Sequence, residues 1–345
     1  MALNFGIIGS GSWATALAKI LTENQHHINW WIRNENIIHH MQQRGHNPHY
    51  LSSAHFNVAQ LNMMTELQEV IKASDILLIA VPSAYIADAF QRLDKNIFKG
   101  KKIMSAVKGI LPVQNILLNK YLLREFNLPL QNYFAVLGPC HAEEVAAEKL
   151  SYLTFSGIDH DFTMEIASYF KRDYINTLVN DDIWGVQYAA ILKNIYALGA
   201  GMAHGLDYGD NFLSVYIANS ADEMAGFLRK VGIRHIEVGV HATSVTNSRT
   251  PNYAASVYLG DLLVTCYSLH SRNRTFGNMI GKGYSVISAQ LEMNMVAEGY
   301  NAAKCIFNIN KEIKAEMPIA ETIYQVLWEK LTAEDGFKLI EKMLV

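Results

Sequence analysis

The sequence FGII at residues 5–8 runs directly into GSGSWA at 9–14 and TALAKILT at 15–22, and this stretch sets the architecture of the chain. Its apolar first part is typical of a buried strand, and its last part has the spacing of an amphipathic helix. Between them, Gly9 permits a tight turn, Gly11 lets the backbone approach a pyrophosphate, and Ala14 lets helix and strand pack closely. The new helix offers free N–H groups and the positive end of its dipole. This order predicts a dinucleotide-binding unit.

Apolar runs and amphipathic segments continue to alternate through the first half of the chain. The predicted strands are 4–8, 28–32, 76–81, 102–107 and 133–137, with two further runs at 152–156 and 175–179 that suit the edge of the sheet. The predicted helices include 13–22, 67–73 and 113–126. Strands and helices in repeated order are typical of a parallel, doubly wound sheet. We therefore predict a Rossmann-type α/β domain over residues 1–180.

The pattern changes near Asn180. From about residue 181 the apolar positions recur with a helical period and the β-branched runs stop. The predicted helices are 183–203, 211–231, 253–270, 286–307 and 318–331, and the polar stretch GVHATSVTNSRTPN at 239–252 predicts a surface loop. We therefore predict an all-helical C-terminal domain over residues 181–345 that binds the substrate.

The composition of the 345-residue chain excludes several classes of protein. Its 29 Lys and Arg against 32 Asp and Glu leave a net charge of −3, which gives no general attraction to nucleic acid or to an anionic membrane. Cys140, Cys266 and Cys305 are an odd number and widely spaced, which favours a reducing, cytoplasmic environment over disulfides or a metal site. The N-terminal run lacks a basic flank, so we expect a folded strand and no signal peptide.

The apolar stretch at 183–203 is long enough to cross a bilayer at about 1.5 Å per residue. Lys193 would then lie at the bilayer centre, at a cost of about 2.5–3.5 kcal/mol, so we predict a helix buried in protein and no stable membrane insertion. A lysine buried there is either paired with a carboxylate or functional, because burial penalises its charge and lowers its pKa towards the working pH of a general acid or base. Gly199 and Gly201 weaken the same helix, which predicts the close approach of another backbone.

Polar side chains follow the predicted strands, where ligands bind in an open α/β sheet. The second strand ends in Arg33, 22 residues after Gly11. An acidic residue at this place would bind a ribose 2′-hydroxyl, whereas an arginine suits a 2′-phosphate, so NAD and NADP both stay open. Lys108 follows the fourth strand. It either reaches a phosphate or a substrate oxygen there, or it is an ordinary surface lysine.

The fifth strand ends in GPCHAEE at 138–144, which turns into another helix. Gly138 allows a tight turn there, and Cys140 lies near the helix N-terminus. A helix N-terminus can lower the pKa of a thiol, which suggests a nucleophile. A small residue that packs near a helix cap is the alternative, and we favour it because the adjacent His141 is poorly placed to act on Cys140.

A further polar cluster occurs in the second half, where Asp261 precedes SRNR at 271–274. Arg272 offers a planar fork suited to phosphate oxygens, and Ser271 and Asn273 add shorter donors. Asp261 is expected either to accept from a substrate hydroxyl or to position Lys193. A helix-terminal turn rich in capping residues is the alternative interpretation of this cluster.

Ten motifs in the same order carry a resemblance to one family. They are GSGSWATALA (9–18), WIR (31–33), AVPS (80–83), VKGI (107–110), GPCHAEEV (138–145), GVQYAAILKNIYALGAG (185–201), GDLLVTC (260–266), SRNRTFG (271–277), VAEGY (296–300) and EMPIAETIYQVL (316–327). With them the chain resembles the bacterial-type NAD(P)-dependent glycerol-3-phosphate dehydrogenase family. The resemblance implies reduction of a small phosphorylated substrate, dihydroxyacetone phosphate, to sn-glycerol 3-phosphate with NAD or NADP as cofactor, in support of glycerophospholipid synthesis.

The resemblance also implies roles for individual residues. Lys193 resembles the catalytic group that takes and returns the proton. The implied substrate-binding residues are Lys108, Gly138, Cys140, Asp261, Ser271, Arg272 and Asn273. The implied cofactor-binding residues are Gly9, Gly11, Ser12, Trp13, Ala14, Arg33, Tyr50, Lys108, Ala142, Arg272, Val296 and Glu298.

The chain departs from the family pattern at three places. Ser or Thr is usual where Cys140 stands, FLSVYIANS at 212–220 replaces a stretch that usually carries a Lys and an Arg, and 239–258 also differs. Two alternatives follow: a related hydroxyacid or sugar-acid dehydrogenase, and an NAD(P)-binding redox sensor without catalysis. The 50% hydrophobic content is compatible with a homodimer.

Overall fold

The computed structural model describes residues 3–233, 241–242, 249–250, 255–293 and 297–345, and for 241–242, 249–250 and 255–256 the backbone alone. The chain divides into two compact units. Unit 1 consists of Met1–Val107 and Ile116–Ile183, and unit 2 of Lys108–Asn115 and Trp184–Val345. Unit 2 thus includes a short segment from the first half of the sequence, which no pattern in that segment indicates.

Unit 1 is built on an eight-stranded sheet. Its strands are β1 Phe5–Ile8, β2 Ile28–Trp31, β3 Leu61–Met64, β4 Ile76–Ile79, β5 Lys102–Ser105, β6 Tyr133–Leu137, β7 Ser151–Ser156 and β8 Ile175–Asn180. Their order is β3-β2-β1-β4-β5-β6-β7-β8, and every neighbouring pair is parallel except β6 and β7. The first six strands have the Rossmann order, so the predicted α/β fold class is confirmed.

The helices of unit 1 connect these strands. They are α1 Ser12–Glu23, α2 Glu35–Arg44, α3 Leu67–Lys72, α4 Ser83–Phe90, α5 Leu118–Phe126, α6 Ala142–Ala146 and α7 His160–Ser168. The central strands β1 and β4 are buried along their whole length. Their continuous apolar sequences FGII and ILLI are what a parallel strand covered on both faces requires.

Two features of unit 1 differ from the sequence prediction. Strand β3 was not predicted, because this edge strand is only partly buried and its sequence LNMM has no long apolar run. The helix predicted at 113–126 begins only at Leu118. Asn115 has a left-handed φ of 52°, which interrupts a helix, and Val113 is exposed.

The second half of the chain is helical. Its helices are α8 Ile183–Gly205, α9 Asp210–Lys230, α10 Asp261–Tyr267, α11 Arg272–Gly281, α12 Val286–Glu292, α13 Glu298–Ile313, α14 Pro318–Trp328 and α15 Ala333–Glu341, with a π-helical turn at Ala255–Gly260 before α10. The predicted all-helical domain needs one correction, because β9 His241–Ala242 pairs with β10 Arg249–Thr250. The rest of the predicted loop at 239–252 lies outside the described residues.

Two predicted helices are divided in the structure. The prediction at 253–270 covers the π-helical turn and α10, which ends at Tyr267. The prediction at 286–307 covers α12 and the first part of α13, because Met293 and Ala297 have extended dihedral angles that end one helix and cap the next. Helices α11 and α15 were not predicted, since both are short and begin with polar capping residues.

Helices α8 and α11 cross with their backbones in contact. Gly201 and Gly205 on α8 face Gly277 and Gly281 on α11, so each helix contributes two glycines four positions apart. A Cβ on Gly201 would lie 2.0 Å from the carbonyl oxygen of Arg274. The predicted close approach of another backbone to this helix is therefore confirmed at Gly201. At Gly199, also on α8, the space is filled by a tyrosine side chain instead.

The long helix α8 is buried within the protein. Every residue from Gln187 to Ala203 is buried, which confirms the prediction for the apolar stretch at 183–203. Over the ranges that the structure describes, no helix is both long enough and apolar enough to cross a membrane.

A buried carboxylate on α9 predicts a pH-dependent stability. Glu223 accepts from the backbone N–H groups of Ile319 and Ala320 at 2.7 and 2.9 Å and from the Tyr196 hydroxyl at 3.1 Å. Burial raises the pKa of Glu223 from 4.5 to about 7, and these hydrogen bonds oppose the shift. Because the pKa of Glu223 is higher in the folded than in the unfolded protein, its protonation stabilises the fold. This contribution to the free energy of unfolding is fully present below pH 4.5 and is lost as the pH rises through about 7.

We expect the stability of the wild type to fall by about 3 kcal/mol across this interval relative to Glu223→Gln. The glutamine of this variant would carry no charge at any pH in this range. Its NH2 group would face one of the backbone N–H donors, which lowers the stability of the variant by the same amount at every pH. Denaturant unfolding of both proteins between pH 4.5 and 8 measures the difference. Parallel pH profiles for the two proteins would contradict the prediction.

Candidate active site

The turn after β1 is held by contacts within unit 1. Gly9 has a φ of +119°, and a Cβ there would lie 2.7 Å from the carbonyl oxygen of Ala80, so only glycine fits. The indole Nε1 of Trp30 donates to the Gly9 carbonyl at 2.7 Å. Thr15 Oγ1 donates to the Gly11 carbonyl at 2.9 Å. The protein's own hydrogen bonds therefore set the shape of this turn.

A buried asparagine joins this turn to a second loop. Asn47 Nδ2 donates to the Ser10 carbonyl at 3.1 Å and to Thr15 Oγ1 at 3.0 Å. Its Oδ1 accepts from the backbone N–H groups of His49 and Tyr50 at 3.0 and 3.3 Å. Asn47 was not among the predicted site residues, because a single asparagine in a loop has no spacing that marks it. Its hydrogen bonds place the predicted cofactor contact Tyr50 beside the glycine turn.

The start of α1 fits the pyrophosphate of a dinucleotide. Gly11 is its N-cap, so no capping side chain covers the first amides, and the first turn has no acidic residue. A Cβ on Gly11 would meet nothing within 4 Å, so internal packing does not require this glycine. A glycine with open space around it at a helix N-terminus, at the positive end of the dipole, is what a phosphate pair needs. The residues present therefore fit NAD or NADP.

The remaining predicted cofactor residues near this turn differ in exposure. Ser12 and Ala14 are buried in α1, and Trp13 between them is half-buried. Arg33 is exposed two residues after the end of β2. It lies one residue before the N-cap of α2, Asn34, whose side chain accepts from the backbone N–H of Asn36. Arg33 thus follows the carboxyl end of the strand, the place at which a ribose contact is predicted.

The segment after β6 holds three further predicted residues. Gly138 has a φ of +135°, and a Cβ there would lie 2.6 Å from the carbonyl oxygen of Tyr152, so this glycine admits the antiparallel strand β7. Cys140 belongs to the hydrophobic core of unit 1 and is 3% exposed. Ala142 is buried at the start of α6. The surroundings of Cys140 therefore favour the packing interpretation over the nucleophile.

Unit 2 buries an ion pair. Lys193 on α8 and Asp261 at the start of α10 are in contact through Nζ and Oδ1, and their side chains are 3% and 2% exposed. A buried charge needs such a partner. The pairing of Lys193 with a carboxylate, one of the two predicted alternatives, is therefore present in the structure. The other carboxylate oxygen of Asp261, Oδ2, is buried and has no hydrogen-bond partner among the described residues. A hydroxyl of a bound molecule would satisfy it.

Three more polar residues of unit 2 are joined by hydrogen bonds. Asn273 Nδ2 donates to Asn194 Oδ1 at 3.0 Å, and Asn194 Nδ2 donates to the Lys108 carbonyl at 3.2 Å. Asn273 Oδ1 accepts from the backbone N–H of Gly299 at 2.9 Å. Asn194 was not among the predicted site residues, although it directly follows Lys193. The segment 108–115 is therefore bonded at Lys108 to α8, and α8 is bonded in turn to α11.

The N-terminus of α11 carries the remaining predicted substrate residues. Ser271 is its N-cap, and Ser271 Oγ accepts from the backbone N–H of Arg274 at 3.3 Å. Arg272 is the first helical residue and is half-buried, and the first turn has no acidic residue. A guanidinium at a helix N-terminus combines two features that attract an anion.

The cysteines of unit 2 lack the features of a nucleophile. Cys266 on α10 is fully buried, and burial raises the pKa of its thiol to about 12 although Lys193 and Arg274 oppose the shift. Burial also raises the pKa of Cys305 to about 11. A thiolate at neutral pH is therefore disfavoured at both positions. In the parts of the chain that the structure covers, no three His, Cys, Asp or Glu side chains are arranged to hold a metal ion.

The predicted site residues fall into two sets. Unit 1 contains Gly9, Gly11, Ser12, Trp13, Ala14, Arg33, Tyr50, Gly138, Cys140 and Ala142. Unit 2 contains Lys108, Lys193, Asp261, Ser271, Arg272, Asn273 and Glu298. Glu298 is half-buried at the start of α13, and Val296 lies outside the described residues.

Both halves of the chain match sequence families. Residues 4–163 match the family described as NAD-dependent glycerol-3-phosphate dehydrogenase N-terminus, and residues 182–338 match the corresponding C-terminus family. Two bacterial relatives are named glycerol-3-phosphate dehydrogenase (NAD(P)+). The protein of Bacillus pumilus is 30% identical over 96% of this chain and 91% of its own length. The protein of an Exiguobacterium species is 32% identical over 97% and 94%.

Solved structures resemble the whole chain. The crystal structure of glycerol-3-phosphate dehydrogenase from Coxiella burnetii is 25% identical, covers 99% of this chain and 98% of its own, and superposes with a TM-score of 0.85. A D-mandelate dehydrogenase complex is 10% identical, covers 97% of this chain and 99% of its own, and has a TM-score of 0.62, which shows a shared fold alone. The predicted resemblance is confirmed.

Proposed function

Because the chain belongs to the NAD-dependent glycerol-3-phosphate dehydrogenase family, we propose that it reduces dihydroxyacetone phosphate to sn-glycerol 3-phosphate and catalyses the reverse oxidation. It is thus an NAD(P)-dependent oxidoreductase with a small phosphorylated substrate. The product is the backbone of glycerophospholipids, which links the enzyme to their synthesis.

One observation carries this proposal: the buried contact between Lys193 and Asp261, beside a carboxylate oxygen that no described residue hydrogen-bonds. The ammonium is a proton donor held in a fixed position. The free oxygen is an acceptor for a substrate hydroxyl. A ketone that carries a neighbouring hydroxyl offers one group to each of them.

Lys193 acts as the general acid of the reduction. When bound, the reduced nicotinamide supplies the hydride that adds to the C2 carbonyl carbon. Lys193 Nζ transfers its proton to the carbonyl oxygen, so that hydride and proton together convert the ketone to an alcohol. Asp261 holds Nζ in place and stabilises its charge before the transfer. In the reverse direction, neutral Lys193 removes the hydroxyl proton.

The substrate phosphate is assigned to the N-terminus of α11. Arg272 supplies a guanidinium, and Ser271 and Asn273 add hydroxyl and amide donors. Lys108 places a second cation near the reacting oxygen, where electrostatic stabilisation is most effective. Binding energy at the phosphate thereby orients C2, which is remote from it. Gly138 and Cys140 stay predictions of the family resemblance, and the burial of Cys140 in the core of unit 1 supports a packing role for it.

The cofactor is assigned to the turn after β1 and its neighbours. Gly9, Gly11 and Ala14 shape the pyrophosphate cradle, with Ser12 and Trp13 at the helix start. Arg33 and Tyr50 are proposed contacts for the ribose end, and they leave NAD and NADP both open. Ala142, Glu298 and Arg272 stay cofactor contacts predicted from the family resemblance. Val296 stays a prediction, as do a cytoplasmic location and a homodimer.

A steady-state assay tests the proposed function. The absorbance of NADH and of NADPH is followed with dihydroxyacetone phosphate, and then with short 2-oxoacids and sugar-acid ketones. We expect turnover with dihydroxyacetone phosphate to exceed that with the unphosphorylated acids by at least about a hundredfold, because a charged phosphate contact is lost. Higher turnover of an oxoacid would favour the hydroxyacid dehydrogenase, and no turnover at all would favour the redox sensor.

Replacement of Arg272 tests the phosphate assignment. We expect Arg272→Ala to raise KM for dihydroxyacetone phosphate about 30- to 100-fold, because a charge-assisted contact is worth about 2–3 kcal/mol. Its effect on kcat is expected to be smaller. Initial rates at varied substrate concentration measure both constants. An unchanged KM would remove Arg272 from the phosphate site.

A further inference from the structure

Two buried asparagines of unit 2 form a continuous chain of hydrogen bonds, which we call the amide relay. It runs from the backbone N–H of Gly299 to Asn273, from Asn273 to Asn194, and from Asn194 to the Lys108 carbonyl. Asn194 and Asn273 are 5% and 7% exposed. Water therefore has little access to replace these bonds, and each lost bond leaves a buried polar group unsatisfied.

The two ends of the amide relay determine its direction. The Gly299 N–H can only donate, so Asn273 turns its Oδ1 towards Gly299 and its Nδ2 towards Asn194. Asn194 then presents Oδ1 to Asn273 and Nδ2 to the Lys108 carbonyl, which can only accept. A flip of either amide would place two donors or two acceptors in contact. Both side chains are thus locked in one orientation.

This orientation suits the proposed substrate. With its Oδ1 engaged by Gly299, Asn273 has a second Nδ2 hydrogen left as a donor. Donors attract phosphate oxygens, whereas the Oδ1 of a flipped Asn273 would repel them. At the other end, the relay holds the backbone at Lys108, the residue from which the proposed second cation projects.

The position of Gly299 is fixed independently. A Cβ on Gly299 would lie 2.5 Å from the carbonyl oxygen of Asn194, so the start of α13 is in backbone contact with α8. Because this contact holds the donor in place, the relay starts from a rigid point. The residue before Gly299, Glu298, is a proposed cofactor contact. The relay therefore starts beside a proposed cofactor residue and ends at Lys108, a proposed substrate residue.

We propose that Asn194 is a positioning residue of this enzyme. It keeps Asn273 in its donating orientation and holds the backbone that carries Lys108. The proposal rests on the proposed function of these two residues. Asn194 itself acts through them and needs no contact with the substrate.

The first test is a substitution that reverses one hydrogen bond. Asn194→Asp still accepts from Asn273 but turns a second oxygen towards the Lys108 carbonyl. We expect kcat/KM for dihydroxyacetone phosphate to fall about 30- to 100-fold, the effect of a misplacement near 1 Å. Asn194→Leu, which has a similar size and no charge, is expected to lose at least as much. A loss with Asp alone would point to the added charge and would overturn the proposal.

A matched control exists in the same unit. Asn310, in the last turn of α13, donates through Nδ2 to the Ala315 carbonyl at 2.9 Å and accepts through Oδ1 from the Ala315 N–H at 2.9 Å. Asn310→Asp makes the same chemical change away from the relay. We expect it to lower the denaturation midpoint and to leave kcat/KM within about twofold of the wild type. Equal losses of kcat/KM in both variants would show a general structural effect and would overturn the proposal.

A double-mutant cycle separates positioning from stability. In a Lys108→Ala background, Asn194→Asp is expected to lower kcat/KM by no more than about threefold, since the side chain that it positions is absent. Losses that multiply would overturn the proposal.

Amide hydrogen exchange of Gly299, followed by NMR, reports the relay without any substrate. We expect faster exchange in Asn194→Leu than in Asn310→Asp. If the wild type did not reduce dihydroxyacetone phosphate, the proposed function would fail, and unchanged exchange would show separately that the relay holds nothing.

Discussion

Replacement of Lys193 by alanine is expected to lower kcat about 10³- to 10⁴-fold while the reduced cofactor still binds. The reason is that Lys193 Nζ is the proposed proton donor, and general acid catalysis contributes up to about 10⁴-fold. The change also leaves Asp261 as a buried charge without its partner, which costs about 3–5 kcal/mol of stability. Initial rates and quenching of protein fluorescence by NADH or NADPH measure the two expected results.

Lys193→Arg is the control that separates chemistry from folding. Arginine keeps a positive charge against Asp261, so the ion pair and much of the stability are retained. Its guanidinium does not release a proton at working pH, and we therefore expect this variant to be folded and almost inactive. Activity near that of the wild type in Lys193→Arg would show that the charge alone is required and would remove Lys193 as proton donor.

Replacement of Gly277 by alanine is expected to lower stability by about 3 kcal/mol or more and to reduce kcat/KM about a hundredfold. A Cβ there would lie 1.9 Å from the Leu198 carbonyl oxygen and 3.0 Å from the Met202 N, both backbone atoms of α8. The two helices have to separate to admit it. Since α8 carries Lys193 and α11 carries Arg272, this separation moves the proposed proton donor away from the proposed phosphate site.

Gly226 provides a matched control for this substitution. It lies inside α9, and a Cβ on it would meet nothing within 4 Å. Gly226→Ala is expected to raise stability by about 0.5–1 kcal/mol, because alanine favours a helix over glycine. Denaturant midpoints of both variants measure the contrast. A Gly277→Ala protein with the midpoint of the wild type would contradict the backbone contact.

Most of unit 1 could be predicted because its signals are local. The sequence around Gly9 and Gly11 contains a strand, a turn and a helix in one short stretch, and all three occur in the structure. The divided helix at 286–307 could not be predicted, since apolar spacing does not report that Met293 leaves the helical region. Asn47 was missed for a similar reason: its bonds to Ser10 and Thr15 depend on segments that folding brings together.

Local sequence is sufficient for the dinucleotide turn, the helical second half and the family, because these depend on residue types at short spacing. It also identifies Lys193 as a charge that needs a partner. The choice of Asp261 as that partner is made by folding, as is the amide relay, whose asparagines are 79 positions apart and whose last bond spans 86. The bond between the two asparagines follows from the crossing of α8 and α11 at Gly201 and Gly277, and no period or spacing along the chain shows which distant residues a helix crossing brings into contact.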